Sequence, residues 1–304
     1  MKTHGYTYQA ALEASERIDW RVEDLIGGDK RLDFSKPFMP ETFARVEPLT
    51  FLSRREKLAL NQIRGLGYLY MFGVVEEFIL PFLLDHARPQ IHGDAYATRA
   101  VLEFAAEEAK HIHLFRRFRE EFEQGFGTPC QEIGPAEAIA KSVLGHQPLA
   151  VALTTLHLEW MTQRHWIEAV KDDQDLDPQF KSLLKHHWME EAQHAKLDTL
   201  IVDSLSHSLD SKAIEAAIDE YLEIGGMVDG GLASQVEFDI DNLAKATGRQ
   251  LSAAERETFA TVQRQGMRWT YLGSGMTHPR FTGALSDLLP AAADRVAKIA
   301  PSLS

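Results

Sequence analysis

Apolar residues recur along most of this chain at intervals of three and four, the spacing that gathers them on one face of a helix. The clearest run is Ile63, Leu66, Tyr70, Gly73, Glu77, Leu80 and Leu84, which reads as a single stripe. Helix punctuation frames these runs. Ser53-Arg-Arg-Glu56 is a capping box that opens a first long helix, predicted to end near Asp85. A second begins near Asp94 and stops around Gly125 and Gly127, and a third covers roughly 149–170. Asp177-Pro178, an N-cap followed by proline at the first helical position, opens a fourth that runs to about Ser206. Before them lie a short predicted helix (about 8–25) and an irregular connection bearing Pro37, Pro40 and Pro48.

Three more helices are predicted after Asp210. One spans about 211–247 and is weakened by Gly225-Gly226 and Gly230-Gly231; another opens at the capping box Ser252-Ala-Ala-Glu255; a last one covers about 283–299. Sustained two-residue alternation is missing, and no Asn-Gly or Asp-Gly joins β-rich runs. The fold class expected is all-α. No low-complexity linker divides the chain, so residues 1–304 are expected to form one domain: an extension (1–50), a four-helix core (51–206) and helical additions (207–304).

The stretch Gly65–Leu84 has nearly the length of a membrane span, but Glu76 and Glu77 sit at its middle, where charge is expensive in lipid. Carboxylates inside so greasy a helix point instead to a buried site that needs cations. The N-terminal residues show no apolar signal core, and a cytoplasmic protein is expected. A formal charge of −13 supplies no basic field for nucleic acid or an anionic membrane. With Cys130 as the single cysteine, an intrachain disulfide and cysteine-based zinc or iron–sulfur sites are excluded. Any metal would have to be held by carboxylates and imidazoles, which favours iron or manganese.

Two segments fit that demand. Glu108-Ala-Lys-His111 and Glu191-Ala-Gln-His194 each put a carboxylate and an imidazole on one face of a predicted helix, 83 positions apart. Two such pairs, with one glutamate from each of two further helices, form the ligand set of a dimetal four-helix bundle. The third helix offers Glu159, flanked by apolar residues. The first offers Glu77, which continues the stripe from Ile63 to Leu84, or Glu76, which aligns almost as well with Leu66, Leu69 and Leu80; Glu77 is preferred. Glu77 to Glu108 is 31 positions and Glu159 to Glu191 is 32, so the two halves match in length. His187 lies one turn before Glu191 and can reach the same space, giving seven donors.

The neighbouring Glu107 and Glu190 point roughly 100° away and are expected beside the ligands or toward solvent. His113, His157 and His165 are expected as ordinary helix histidines, one of which could hydrogen-bond a ligand carboxylate. Tyr68, Tyr70, Phe72, Trp160, Trp166 and Trp188 are expected in the core. Zincin, dinucleotide-binding, Walker and nucleophile-elbow motifs do not occur.

The doubled Glu-x-x-His with an added histidine four before the second glutamate resembles the p-aminobenzoate N-oxygenase family of ferritin-like diiron proteins. The run Leu52-Ser-Arg-Arg-Glu-Lys-Leu-Ala-Leu-Asn61-Gln is also similar to the start of that family's first bundle helix, and the likeness covers about residues 50–205. The resemblance implies that Glu77, Glu108, His111, Glu159, His187, Glu191 and His194 hold two iron ions, manganese being an alternative. It further implies a homodimer, an external electron donor, and use of O2 to oxidise a small amine, such as an aminobenzoate, at nitrogen. A ferroxidase or iron-handling bundle, or a diiron C-hydroxylase, would use the same ligands. A carboxylated substrate would want a cationic partner, for which Arg99, Arg164 and Arg268 are candidates.

Overall fold

The computed structural model describes residues 4–303, and its elements in chain order are helical. Helix α1 is Tyr8–Ser15 and α2 is Glu41–Ala44. The long helices α3 (Arg54–Ala87) and α4 (Ala95–Phe126) follow, and then α5 (Ala136–Leu144). Helix α6 (Pro148–Arg164) ends in a π turn at His165–Val170 and is followed by α7 (Pro178–Ser206). The chain closes with α8 (Ser211–Thr247), α9 (Ala253–Arg268), α10 (Ser274–Met276), α11 (Pro279–Leu288) and α12 (Pro290–Ile299). No strand occurs among the described residues.

The start and stop signals act where the sequence places them. Ser53 accepts from Glu56 N while Glu56 accepts from Ser53 N, and the same reciprocal pair forms between Ser252 and Glu255. Asp94 and Asp177 cap α4 and α7 through their side chains. Gly127 ends α4 at φ +75°, a conformation that a Cβ would disfavour.

Helices α3 and α4 pack as one hairpin and α6 and α7 as another; α4 meets α7 and α3 meets α6 to close a four-helix core. Helix α8 lies against α3 and α6, α1 lies against α4 and α7, and one continuous apolar core includes all of these helices. The residues before α3 are tied down by polar side chains inside it. Buried Asn61 accepts from Phe38 N and Met39 N and donates to Met39 O, and Gln62 donates to Phe34 O and Lys36 O. The stretch Arg54–Gln90 is long and apolar enough to cross a membrane, yet 56% of its most apolar window is buried within the protein.

Four details differ from the sequence expectation. The first short helix stops at Ser15, and the chain beyond it is irregular around Trp20. Helix α5 is unforeseen. Helix α8 runs unbroken through its glycine pairs, because packing against α3, α6 and α9 outweighs the roughly 1 kcal/mol that each glycine costs. The last helix is two, divided at Leu289, whose extended backbone (φ −159°, ψ 111°) precedes Pro290.

Candidate metal centre

Inside the four-helix core the apolar lining gives way to carboxylates and imidazoles. Helix α3 contributes Glu76; α4 contributes Glu107, Glu108 and His111; α6 contributes Glu159; and α7 contributes His187, Glu190, Glu191 and His194. All nine are buried. The donor atoms of Glu76, His111, His187 and Glu191 lie within 4.8 Å of one another, as do those of Glu108, His111, Glu191 and His194.

Six of the seven expected residues converge here: Glu108, His111, Glu159, His187, Glu191 and His194. Glu77 does not, and this corrects the sequence expectation. Its side chain is 31% exposed and pairs with Arg116 at 2.6 Å on the surface. The face of α3 that is buried at this level is Leu69, Phe72, Glu76, Ile79 and Leu83, whereas Leu84, the last member of the stripe read from sequence, is 46% exposed. The stripe read from sequence is one residue out of phase from Tyr70 onward, so Glu76 takes the place assigned to Glu77. With Glu76 the two halves match, 32 positions from Glu76 to Glu108 and 32 from Glu159 to Glu191.

The imidazoles are oriented by carboxylates on the opposite motif. His111 Nε2 lies 2.9 Å from Glu190 Oε2, and His194 Nε2 lies 2.8 Å from Glu107 Oε2. An ionised carboxylate only accepts, so each Nε2 carries the proton and a neutral ring turns its Nδ1 lone pair inward. Inward, His111 Nδ1 meets Glu108 Oε2 at 3.3 Å and Glu191 Oε1 at 3.1 Å. His194 Nδ1 meets Glu191 Oε2 at 3.0 Å and Glu108 Oε1 at 3.1 Å. His187 uses Nε2, at 2.7 Å from Glu191 Oε1 and 3.1 Å from Glu76 Oε1. Lone pairs facing carboxylate oxygens at these distances repel unless a proton or a cation lies between them.

Protonation behaviour shows the same demand. Burial pushes the Glu76 and Glu159 carboxyls well above the usual range, reinforced by the charges of Glu108 and Glu191. Burial also opposes charge at His111 and His194, but the surrounding carboxylates outweigh it and hold both well above the ordinary histidine range. Glu191 is held well below the carboxylate range, burial notwithstanding, by His187 and His194. Protons thus fill the role that cations would take. Glu108 Oε1, Glu159 Oε2 and Glu191 Oε1 still make no aligned hydrogen bond, although buried oxygens rarely go without one. Fully ionised, the four inner glutamates would carry four negative charges, the complement of two divalent ions, so the donor set fits a dinuclear centre.

An apolar and aromatic shell surrounds the donors. Phe104 stacks on His194 at 3.9 Å between ring centroids, and Phe72 and Phe115 present edges to His187 at 5.4 and 5.0 Å. Trp20 lies parallel to His111 at 6.2 Å, with the Lys110 ammonium over its ring. Lys110 also pairs with Glu190.

None of the three ordinary histidines touches a donor carboxylate. His113 is exposed, His157 Nδ1 meets Tyr221 OH at 2.7 Å, and His165 lies between Tyr68 OH (3.1 Å) and Ser274 Oγ (3.0 Å). The supporting role goes to Glu107 and Glu190, and its signal in the sequence is the Glu-Glu doublet that begins both motifs. Asp198 was missed altogether. It is buried two turns beyond Glu191, both its oxygens lack aligned hydrogen bonds, and burial raises its carboxyl well above the usual range.

No protein-family model matches this chain, and no curated protein is similar to it. Solved structures do share its fold. An R2-like ligand-binding oxidase variant with an anaerobically reconstituted Mn/Fe cofactor is 15% identical, with a TM-score of 0.51 over 88% of this chain and 93% of that one. A variant with an Fe/Fe cofactor is 16% identical, TM-score 0.50, over 86% and 92%. A third, with a Mn/Fe cofactor, is 16% identical, TM-score 0.50, over 89% and 98%. At this identity the likeness establishes the architecture, a ferritin-like helical fold extended by further helices.

Proposed function

We propose that this protein is an O2-dependent dimetal oxygenase that oxidises a small aromatic amine at nitrogen. Two irons, or a manganese–iron pair, would be held by Glu76, Glu108, His111, Glu159, His187, Glu191 and His194. The observation that carries this reading is the pair of inward Nδ1 atoms, each backed by a carboxylate from the opposite helix and each facing carboxylate oxygens of which Glu108 Oε1 and Glu191 Oε1 make no aligned hydrogen bond. The structural relatives hold Fe/Fe or Mn/Fe cofactors, which agrees with the oxygen-rich donor set. Bound there, such a pair would supply the redox chemistry that reduces O2. The chain's own contribution is to fix the imidazole tautomers through Glu107 and Glu190 and to exclude water with Phe72, Phe104, Phe115 and Trp20.

The preference for an amine rests on His187, the third imidazole that marks the resemblance to arylamine oxygenases. An apolar cavity beside the donors favours an organic substrate over iron handling, which would want a polar approach. An external electron donor, a homodimer and a cytoplasmic setting belong to the same proposal. The test is metal analysis of untagged protein, followed by reduction and mixing with O2 and p-toluidine. The expected result is about two ions per chain and an O2-dependent nitroso or nitro product; a metal-loaded protein that consumes no O2 and oxidises no amine would refute it.

A further inference from the structure

Between α3, α5, α6 and α8 lies a cavity of about 70 Å³. It shares a wall with the candidate metal centre. Phe72 lines it and meets the His187 ring, while Leu158 and Val75, which also line it, adjoin Glu159 and Glu76 in the chain. No Asp, Glu, Lys or Arg is among the lining residues.

Of the polar groups that line it, Thr154, Tyr221 and one nitrogen of His157 are hydrogen-bonded, while His157 Nε2 is buried without an aligned partner among the described residues. Thr154 Oγ1 donates to Ala150 O at 3.0 Å, and Tyr221 OH meets His157 Nδ1 at 2.7 Å. Gly275 backs His157 closely, since a Cβ there would fall 2.3 Å from the ring. The three arginines suggested as carboxylate partners are committed elsewhere. Arg99 pairs with Glu16, Arg164 donates to Ser274 O and Thr277 Oγ1, and Arg268 forks onto Asp229.

An anion entering this cavity would leave water and meet no cationic side chain, and an alkylammonium would meet no carboxylate in the lining. An aromatic amine differs from both, because its nitrogen lone pair is delocalised into the ring and it is uncharged at neutral pH. Cavities of ~150 Å³ lined by aliphatic and aromatic groups take up benzene. This one is smaller, but Met71, Met161 and Met276 line it, and unbranched thioether side chains move aside readily.

We propose that this cavity is the substrate chamber and that it selects neutral aromatic amines, rejecting amines that carry a carboxylate or an alkylammonium group. The assignment rests on the oxygenase reading for its chemistry but not for its binding preference. Calorimetric titration of anaerobic, metal-loaded protein with p-toluidine, p-aminobenzoate and benzylamine tests it. p-Toluidine is expected to bind at least about a hundredfold tighter than p-aminobenzoate, and benzylamine not to bind. Gly225→Leu, which fills the cavity from α8, should abolish p-toluidine binding while metal content stays unchanged. Met71→Arg, at a half-buried lining position, should raise the affinity for p-aminobenzoate. Equal binding of p-toluidine and p-aminobenzoate to the native protein would overturn the proposal, as would p-toluidine binding that survives Gly225→Leu. The binding pattern with no O2-dependent product would overturn the oxygenase reading and leave the chamber standing.

Discussion

The two helical hairpins of the core, α3 with α4 and α6 with α7, are built to one plan and then made different at two positions. Each supplies a glutamate and then Glu-Glu-x-x-His, whose second glutamate lies 32 residues on; each lends the leading glutamate of that motif to the other's histidine. Four residues before the ligand glutamate, the first hairpin has Phe104 and the second His187. Seven residues after it, the first has Phe115 and the second Asp198. The aromatic residues do not idle: Phe104 stacks on His194, and Phe115 meets the ring of His187. The first hairpin therefore packs apolar walls against imidazoles that the second provides. The comparison teaches that the symmetric donors create the site, while the asymmetric pair makes its two cation positions unequal.

The largest effect should come from what the hairpins share. Glu191 belongs to both donor groups, and its oxygens meet His111, His187 and His194. Glu191→Ala is expected to lower metal content from about two ions per chain to fewer than one and to abolish O2 consumption, read by elemental analysis and an oxygen electrode. Next comes His187→Phe, which makes the second hairpin like the first. One ion should remain at Glu108, His111, Glu191 and His194, and the other should bind at least about 100-fold more weakly, since a direct donor is worth no less than a supporting one. Two ions retained at full affinity would show that the asymmetry serves something other than metal binding.

Glu107→Gln and Glu190→Gln probe the crossed support. Each should cost about 10–100-fold in metal affinity by loosening an imidazole's orientation. Glu190→Gln should be the more damaging, because Glu190 also holds Lys110, whereas Glu107 pairs with no lysine or arginine among the described residues. Competition titration with a metal chelator would resolve the two, and a larger loss at Glu107 would contradict this order.

Much of this site was legible because its donors repeat at helical intervals, and the same signals that set helix ends also set which donors share a level. The capping boxes at Ser53 and Ser252 and the Asp-Pro at 177–178 gave helix starts to the residue. Trp20 was illegible: it reaches His111 from an irregular segment, and no periodicity places a loop side chain. Asp198 was passed over because a lone acid late in a helix resembles a solvated one until its neighbours are known. The cavity was hidden for a different reason. It is made by α5 and α8 closing on α3 and α6, and apolar side chains that line a void read in sequence like those that fill a core.

The choice between Glu76 and Glu77 shows where periodicity runs out, and it yields the smallest expected effect. Over the length of α3 a stripe drifts around the helix, so a register that is correct at Ile63 and Leu66 is off by one residue at Glu77. Both residues are glutamates in the same apolar run, and only packing against α4 and α6 decides which one turns inward. Glu77→Gln removes an exposed pair with Arg116 and should shift stability by no more than about 0.5 kcal/mol, with metal content unchanged. Glu76→Gln, one position away, should unload an ion, because it removes a buried oxygen donor facing His187. If the two variants lost metal equally, the inward face of α3 would be wrongly placed, and with it the 32-residue match between the hairpins.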